Sequence, residues 1–186
     1  ESAMAALPGE PAPDAWYASA MMGRGTLAWY MADLDTLQRC CNKALQVYQV
    51  LGDQCGIAQA LATLASVPNS SGDADGAEEL YRRSLEIRQK IGDRNGIASC
   101  LHGLSNAAKM RGDLKNARIL LEKSAIIRRE SGDLWRLLNA LGDLAWYTWD
   151  EGDIAAACSL FAELLTGYQK LRSRWGLAYS YENLVI

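Results

Sequence analysis

The sequence predicts an all-α fold, an α-solenoid of antiparallel helix pairs. Three observations lead there. The dipeptide Gly-Asp recurs in register at Gly52-Asp53, Gly72-Asp73, Gly92-Asp93, Gly112-Asp113, Gly132-Asp133 and Gly152-Asp153, twenty residues apart each time, while a seventh copy, Gly142-Asp143, is out of register and falls inside a helical pattern. The segments between these marks alternate between two unlike types, so the full repeat is forty residues. Within each segment apolar residues recur three and four apart, the helical period.

The elements follow in order. Residues 1–13, with Pro8, Pro11 and Pro13, read as a linker or flexible N-terminus. Residues 14–186 read as one repeat domain, with repeats of about 14–53, 54–93, 94–133 and 134–173 and a partial repeat 174–186. Nine helices are expected: 15–31, 34–51, 54–69, 74–91, 94–111, 114–131, 134–151, 154–171 and 174–186. The odd ones are of type A and the even ones of type B. Type A aligns Ile57 with Ile97 and Leu137, and Leu64 with Leu104 and Leu144. Type B aligns Ala77, Ala117 and Ala157, and Leu80, Leu120 and Leu160. Gly ends one helix in the left-handed conformation, and Asp caps the free amides that start the next. Gly23 and Gly25 are expected to interrupt the first A helix, and Pro68 to shorten or kink the second. Ala32-Asp33 and Arg172-Ser173 are degenerate copies of the turn.

Composition narrows the function. Hydrophobic residues make up 49% of the 186-residue chain, enough for a sizeable core. The net charge of −3 and the lack of a dense Lys/Arg run argue against a direct nucleic-acid surface. No apolar run is long enough to span a bilayer, and residues 1–13 lack signal-peptide character. Cys40, Cys41, Cys55, Cys100 and Cys158 form an odd set without C-x-x-C spacing, read as reduced cysteines of a cytoplasmic protein. With His102 the sole histidine, no metal set is indicated. Asp143, Asp150 and Glu151 lie close together, but no base, nucleophile or phosphate loop joins them, so no enzyme and no cofactor are expected.

These residues resemble tetratricopeptide repeats. Leu101, Leu104 and Ser105 match that family's A-helix pattern of two large residues and a small one. Ala117, Leu121 and Ser124, and Ala77, Tyr81 and Ser84, match its B-helix pattern. The repeat is longer than the family's usual 34 residues and lacks Pro after helix B. The long form, above all Gly25–Asp53, is similar to repeat regions of bacterial signalling ATPases and transcription regulators. Related repeats occur in scaffolds that orient cell division. The resemblance implies a right-handed superhelix of about four and a half repeats with A helices lining its inner face. It also implies a non-catalytic protein-interaction or ligand-sensing scaffold, the repeat arm of a larger regulator. The alternative is a stand-alone peptide-binding adaptor.

Carrying the inward register over places Ser19, Met22, Thr26, Trp29 and Tyr30 on that face. Gln59, Ala62, Ser66 and Asn69 follow, then Ser99, His102, Asn106, Lys109 and Met110. Asn139, Gly142, Trp146, Trp149, Asp150, Tyr179 and Glu182 continue it. The candidate groove residues are Trp29, Tyr30, His102, Asn106, Lys109, Asn139, Trp146, Trp149, Asp150 and Tyr179. Trp146 and Trp149 share a helix face and are either core or an aromatic platform, while Tyr147 turns toward the inter-repeat core. His102, Asn106 and Lys109 form a polar stretch that is either a solvated wall or a clamp. Arg82, Arg83, Arg88, Arg128, Arg129 and Lys123, mixed with Glu78, Glu79, Glu86 and Glu130, are expected on a solvated, ion-paired outer face. Trp135 and Trp175 are expected to pack on the preceding B helix. The partner expected is a protein or peptide, including another domain of the same parent chain, with self-association through the open C-terminal end. There Leu177, Tyr181 and Leu184 form an uncovered apolar face.

Overall fold

The computed structural model describes residues 14–184, all of whose regular elements are helical. The N-terminal segment expected as a linker lies outside the described residues, as does the side chain of Leu184. The helices are α1 (Ala15–Tyr30), α2 (Leu34–Leu51), α3 (Gln54–Leu64), α4 (Ser66–Ser71) and α5 (Ala74–Ile91). They continue with α6 (Arg94–Met110), α7 (Leu114–Ser131), α8 (Leu134–Asp150), α9 (Ile154–Lys170) and α10 (Arg174–Leu184). Successive A and B helices pack on one another, with α3 and α4 together forming one interrupted A helix against α5, so the chain is a solenoid of A and B helices.

The Gly-Asp turn does two jobs with one residue. In the turn after α2, Gly52 has φ of 70°, and the amide of Asp53 donates to the carbonyl of Tyr48 at 2.9 Å, closing a Schellman motif. The Asp53 carboxylate then accepts from the Gly56 amide at 3.0 Å, capping α3. The same pair of bonds recurs at Asp73, Asp93, Asp113, Asp133 and Asp153. In the degenerate copies Ala32 and Arg172 adopt the left-handed conformation themselves, at φ of 57° and 51°.

One expectation about the helices needs correction, at Gly23 and Gly25, and the one about Pro68 takes a definite form. Helix α1 runs unbroken through Gly23 and Gly25. Gly25 is a contact point, where a Cβ would press on Cys41 and Leu37 of α2. The expected helix 54–69 is two helices. Pro68 cannot donate to the Leu64 carbonyl and its ring crowds it, so α3 ends there and α4 restarts beyond Ala65.

The core lies between A and B helices. Leu37, Cys41, Ala44 and Tyr48 of α2 pack with Ala18 and Met22 of α1 at one end. Leu121, Leu138, Leu141, Tyr147, Phe161 and Leu164 form the larger cluster at the other. Buried serines tie B helices to the preceding A helices. Ser84 Oγ donates to the Ala58 carbonyl and Ser124 Oγ to the Ala98 carbonyl, each at 2.7 Å and forty residues apart.

A second forty-residue relation joins each B helix to the A helix that follows. Tyr48, Arg88 and Tyr168 fill the space over Gly56, Gly96 and Gly176, where any Cβ would overlap them. The third copy departs, because Arg136 replaces the glycine opposite Arg128. Arg88 and Arg128 therefore do not lie on the solvated outer face. Arg88 pairs with Asp93 at 2.5 Å with 12% of its side chain exposed. Arg128 is 5% exposed, and its Nη1 donates to the Arg136 carbonyl at 2.6 Å. Burial pushes the Arg128 guanidinium down to about 10. Elsewhere, exposed ion pairs join Arg129 with Glu163 and Arg118 with Glu151 across repeats, and Arg94 with Glu130 within one repeat. Such exposed pairs add little stability each.

Candidate binding groove on the A-helix face

The forty-residue register brings α6, α8 and α10 side by side. On α8, Trp135, Asn139 and Asp143 are spaced four apart and share one face, and on α10 Trp175 and Tyr179 do the same. Between these helices lies an open groove of about 370 Å3, lined by His102, Leu138, Asn139, Gly142, Asp143, Tyr168, Trp175 and Tyr179.

One wall is polar. His102 Nε2 sits 2.8 Å from Asp143 Oδ2, linking α6 to α8, and the Asp143 side chain remains 44% exposed. Asn139 stands exposed beside them. The other wall is aromatic. Trp175 stacks on Tyr179 with ring centroids 5.6 Å apart and planes 10° from parallel. Tyr168 reaches in from α9 through the gap over Gly176, and its ring meets Trp135 and Trp175 edge-on at 6.4 and 6.5 Å. The Tyr179 hydroxyl accepts from Trp146 Nε1 at 2.7 Å. Burial pushes the Tyr168 and Tyr179 hydroxyls up, and the nearby Asp143 charge adds to the effect.

The expected groove residues divide. His102, Asn139 and Tyr179 come together here. Asn106 and Lys109 continue along α6 next to Tyr147. The Tyr147 hydroxyl lies 3.5 Å from Asn106 Oδ1, and Lys109 Nζ sits 4.8 Å from the ring centroid. Tyr147 itself is buried, as its register requires. Trp146 and Trp149 are half-buried and pack on the core cluster, with Trp146 edge-on to Phe161. Of the two alternatives, core or platform, Trp146 has core contacts on its Phe161 side and an indole N–H bonded to Tyr179. Asp150 is exposed at the end of α8. Trp29 and Tyr30 lie at the far end of the array, in edge contact with each other and 46% and 76% exposed. Met22, placed inward by register, is instead buried between α1 and α2.

Asp143, Tyr168 and Trp175 are groove residues that register alone did not single out. Trp175 does touch the preceding B helix through Tyr168, yet it stays 65% exposed and faces the groove. Trp135 meets Tyr168 of the helix that follows it. The legible signal was the stacked i, i+4 pair Trp175–Tyr179 next to Gly176. A smaller cavity of about 160 Å3 between α5, α6 and α7 is lined by Glu78, Arg82 and Arg111, whose charges are already paired with one another.

Comparison with known proteins places this geometry. No curated protein sequence matches the chain. Among solved structures it is similar to aspartyl phosphate phosphatase F from Bacillus subtilis, at 12% identity and a TM-score of 0.83, covering 92% of this chain and 45% of that one. It is similar to a Rap protein complexed with competence and sporulation factor, at 14% identity and a TM-score of 0.84, covering 89% and 46%. It is also similar to BtubC from P. vanneervenii, at 18% identity and a TM-score of 0.79, covering 91% and 71%. These likenesses are of fold, and the chain spans somewhat under half the length of the first two. The model of the tetratricopeptide repeat matches residues 16–90 and, overlapping it, 56–130. That match spans more than half of the chain, in phase with the turns described above, and the chain belongs to the tetratricopeptide repeat family.

Proposed function

We propose that this chain is a non-catalytic protein-interaction scaffold that binds a peptide or an extended protein segment on its A-helix face, in the groove between α6, α8 and α10. The observation that carries the reading is the composition of that groove. It sets an exposed amide, Asn139, and an exposed carboxylate, Asp143, against a stacked aromatic pair. An amide offers the donor and acceptor that a peptide backbone needs, and flat aromatics add contact area at little entropic cost. The helices that carry these groups are held by the core on their other side, so the groove is formed before a ligand arrives. The solved complex of a Rap protein with competence and sporulation factor supports binding by this fold.

A random-peptide display library panned against the chain tests the reading. Selected peptides should lose binding to Asn139→Ala and Trp175→Ala while both variants keep the parent melting temperature. Peptides that bind both variants as tightly as the parent would refute the groove as the site.

The chain serves as the repeat arm of a larger signalling or transcription regulator in cytoplasm, with a neighbouring domain as one partner. The long-form repeat and the greater length of the Rap-type structures support this. The coding sequence that flanks the chain separates this reading from a stand-alone adaptor. A nucleotide-binding loop or DNA-binding module there supports the regulator, and a single terminal capping helix supports the adaptor.

A further inference from the structure

Asp143 is the unusual member of the groove. Its contact is His102, and no arginine or lysine pairs with it among the described residues. Arg128 feels the Asp143 charge, but it is buried and donates to the Arg136 carbonyl instead of pairing with that carboxylate, and Arg136 pairs with Asp133 at 2.8 Å. Lys109 is held over the Tyr147 ring. An apolar ligand group seated here would strip water from a carboxylate and return no charge. An anionic group would meet it head-on.

We propose that the groove is a subsite for a cationic side chain of the bound segment, a guanidinium ahead of an ammonium, with Asp143 as its counter-ion and the Trp175–Tyr179 stack as its flat wall. The inference rests on the reading of this groove as a peptide site and names the residue that the site selects. Three features favour the guanidinium. Its plane can lie along the exposed Trp175 ring, whose negative face attracts a cation. Its fork of N–H donors can reach the carboxylate and the Asn139 amide oxygen together, where an ammonium is a single point charge. His102 anchors Oδ2 of that carboxylate from the α6 side at 2.8 Å, and 44% of the Asp143 side chain stays exposed to a ligand. The groove volume of about 370 Å3 accommodates such a side chain together with water.

The test uses three blocked tripeptides as probes, acetyl-Gly-X-Gly-amide with X arginine, citrulline or glutamate. Titration is followed through the Trp175 indole N–H and the Asp143 and Tyr179 amides in nitrogen-15 NMR spectra. Citrulline keeps the shape of arginine and removes the charge. The arginine probe should shift these signals saturably, with citrulline about fivefold weaker and glutamate weaker still. Added salt should weaken the arginine probe alone. Asp143→Asn, which keeps the shape of the side chain, should erase the preference for arginine over citrulline. Trp175→Leu should weaken the arginine probe with Asp143 intact. Equal binding of all three probes would overturn the charge selection while leaving a peptide groove in place. No shift with any probe would overturn the subsite. The display-library experiment judges the peptide groove separately, by whether its selected peptides need Asn139 and Trp175.

Discussion

Two turn aspartates that look identical in the sequence should differ severalfold in what they contribute. Asp113 is a cap and no more: its carboxylate accepts from the Asn116 amide at 3.1 Å. Asp93 caps α6 through the Gly96 amide at 2.9 Å and also pairs with Arg88 at 2.5 Å, whose side chain is 12% exposed. Removing a cap costs about 1 kcal/mol, so Asp113→Ala should lose about that much. Asp93→Ala loses the cap and leaves Arg88 facing Gly96 without its carboxylate. A fully buried orphaned charge costs about 3–5 kcal/mol. Here Ser84 Oγ still accepts from Arg88 Nε at 3.1 Å and the Asp93 side chain is 28% exposed, so about 2 kcal/mol is the reasonable share. The expected total is about 3 kcal/mol. Asp93→Asn keeps the cap and loses the charge, and should sit between the two. Urea unfolding followed by circular dichroism measures all three, with the slope of the transition checked for constancy, because repeat arrays can unfold in parts. If Asp93→Ala and Asp113→Ala were equally destabilised, the Arg88 pair would contribute nothing and the argument from its burial would fail.

Other perturbations follow from the same geometry. Arg172→Gly should stabilise the chain by roughly 0.5–1 kcal/mol in the same urea assay, because arginine is held there at a left-handed φ of 51°. Gly103→Ala should destabilise by about 1–3 kcal/mol, since its Cβ would overlap the Tyr81 ring. Gly23→Ala, with open space around it in mid-helix, should stabilise by about 0.5–1 kcal/mol. Leu104→Ala should cost roughly 2–5 kcal/mol. Trp149→Ala should cost about half as much, because Trp149 is half-buried against the core rather than free in the groove. Iodoacetamide with mass spectrometry at mildly alkaline pH should label exposed Cys55 and Cys158 quickly. Cys41 and Cys100 should resist until urea unfolds the chain, because burial pushes the Cys41 thiol up to about 11 and raises Cys100 as well, so neither supplies thiolate.

What could be read from the sequence, and what could not, divides along a physical line. The turns were legible because backbone handedness allows few residues at the end of a helix, and the next helix demands a capping oxygen. Gly-Asp meets both demands in adjacent positions, so it repeats wherever the turn does, and even its degenerate copies at Ala32 and Arg172 keep the left-handed backbone. The helix faces were legible for the same reason, since burial selects residue size at each register position. The groove was less legible because it forms from residues 102, 139, 143, 168, 175 and 179, on four helices, and a register rule names one helix at a time. Tyr168 shows the difficulty. It belongs to a B helix, which register assigns away from the A-helix face, yet its ring reaches Trp175 because Gly176 leaves room. The pairs Tyr48–Gly56, Arg88–Gly96 and Tyr168–Gly176 carry that information as a large residue followed eight positions later by glycine, repeating at the forty-residue period. The same rule explains the exception at Arg128, where Arg136 takes the place of glycine. With no gap to enter, Arg128 is left with the Arg136 carbonyl, while Arg136 takes the Asp133 carboxylate that would otherwise pair with Arg128 as Asp93 does with Arg88. That exchange leaves Arg128 feeling the Asp143 charge without forming an ion pair with it. The break in the repeat at Arg136, about two turns along α8 from Asp143, thus bears on the charge of the proposed subsite.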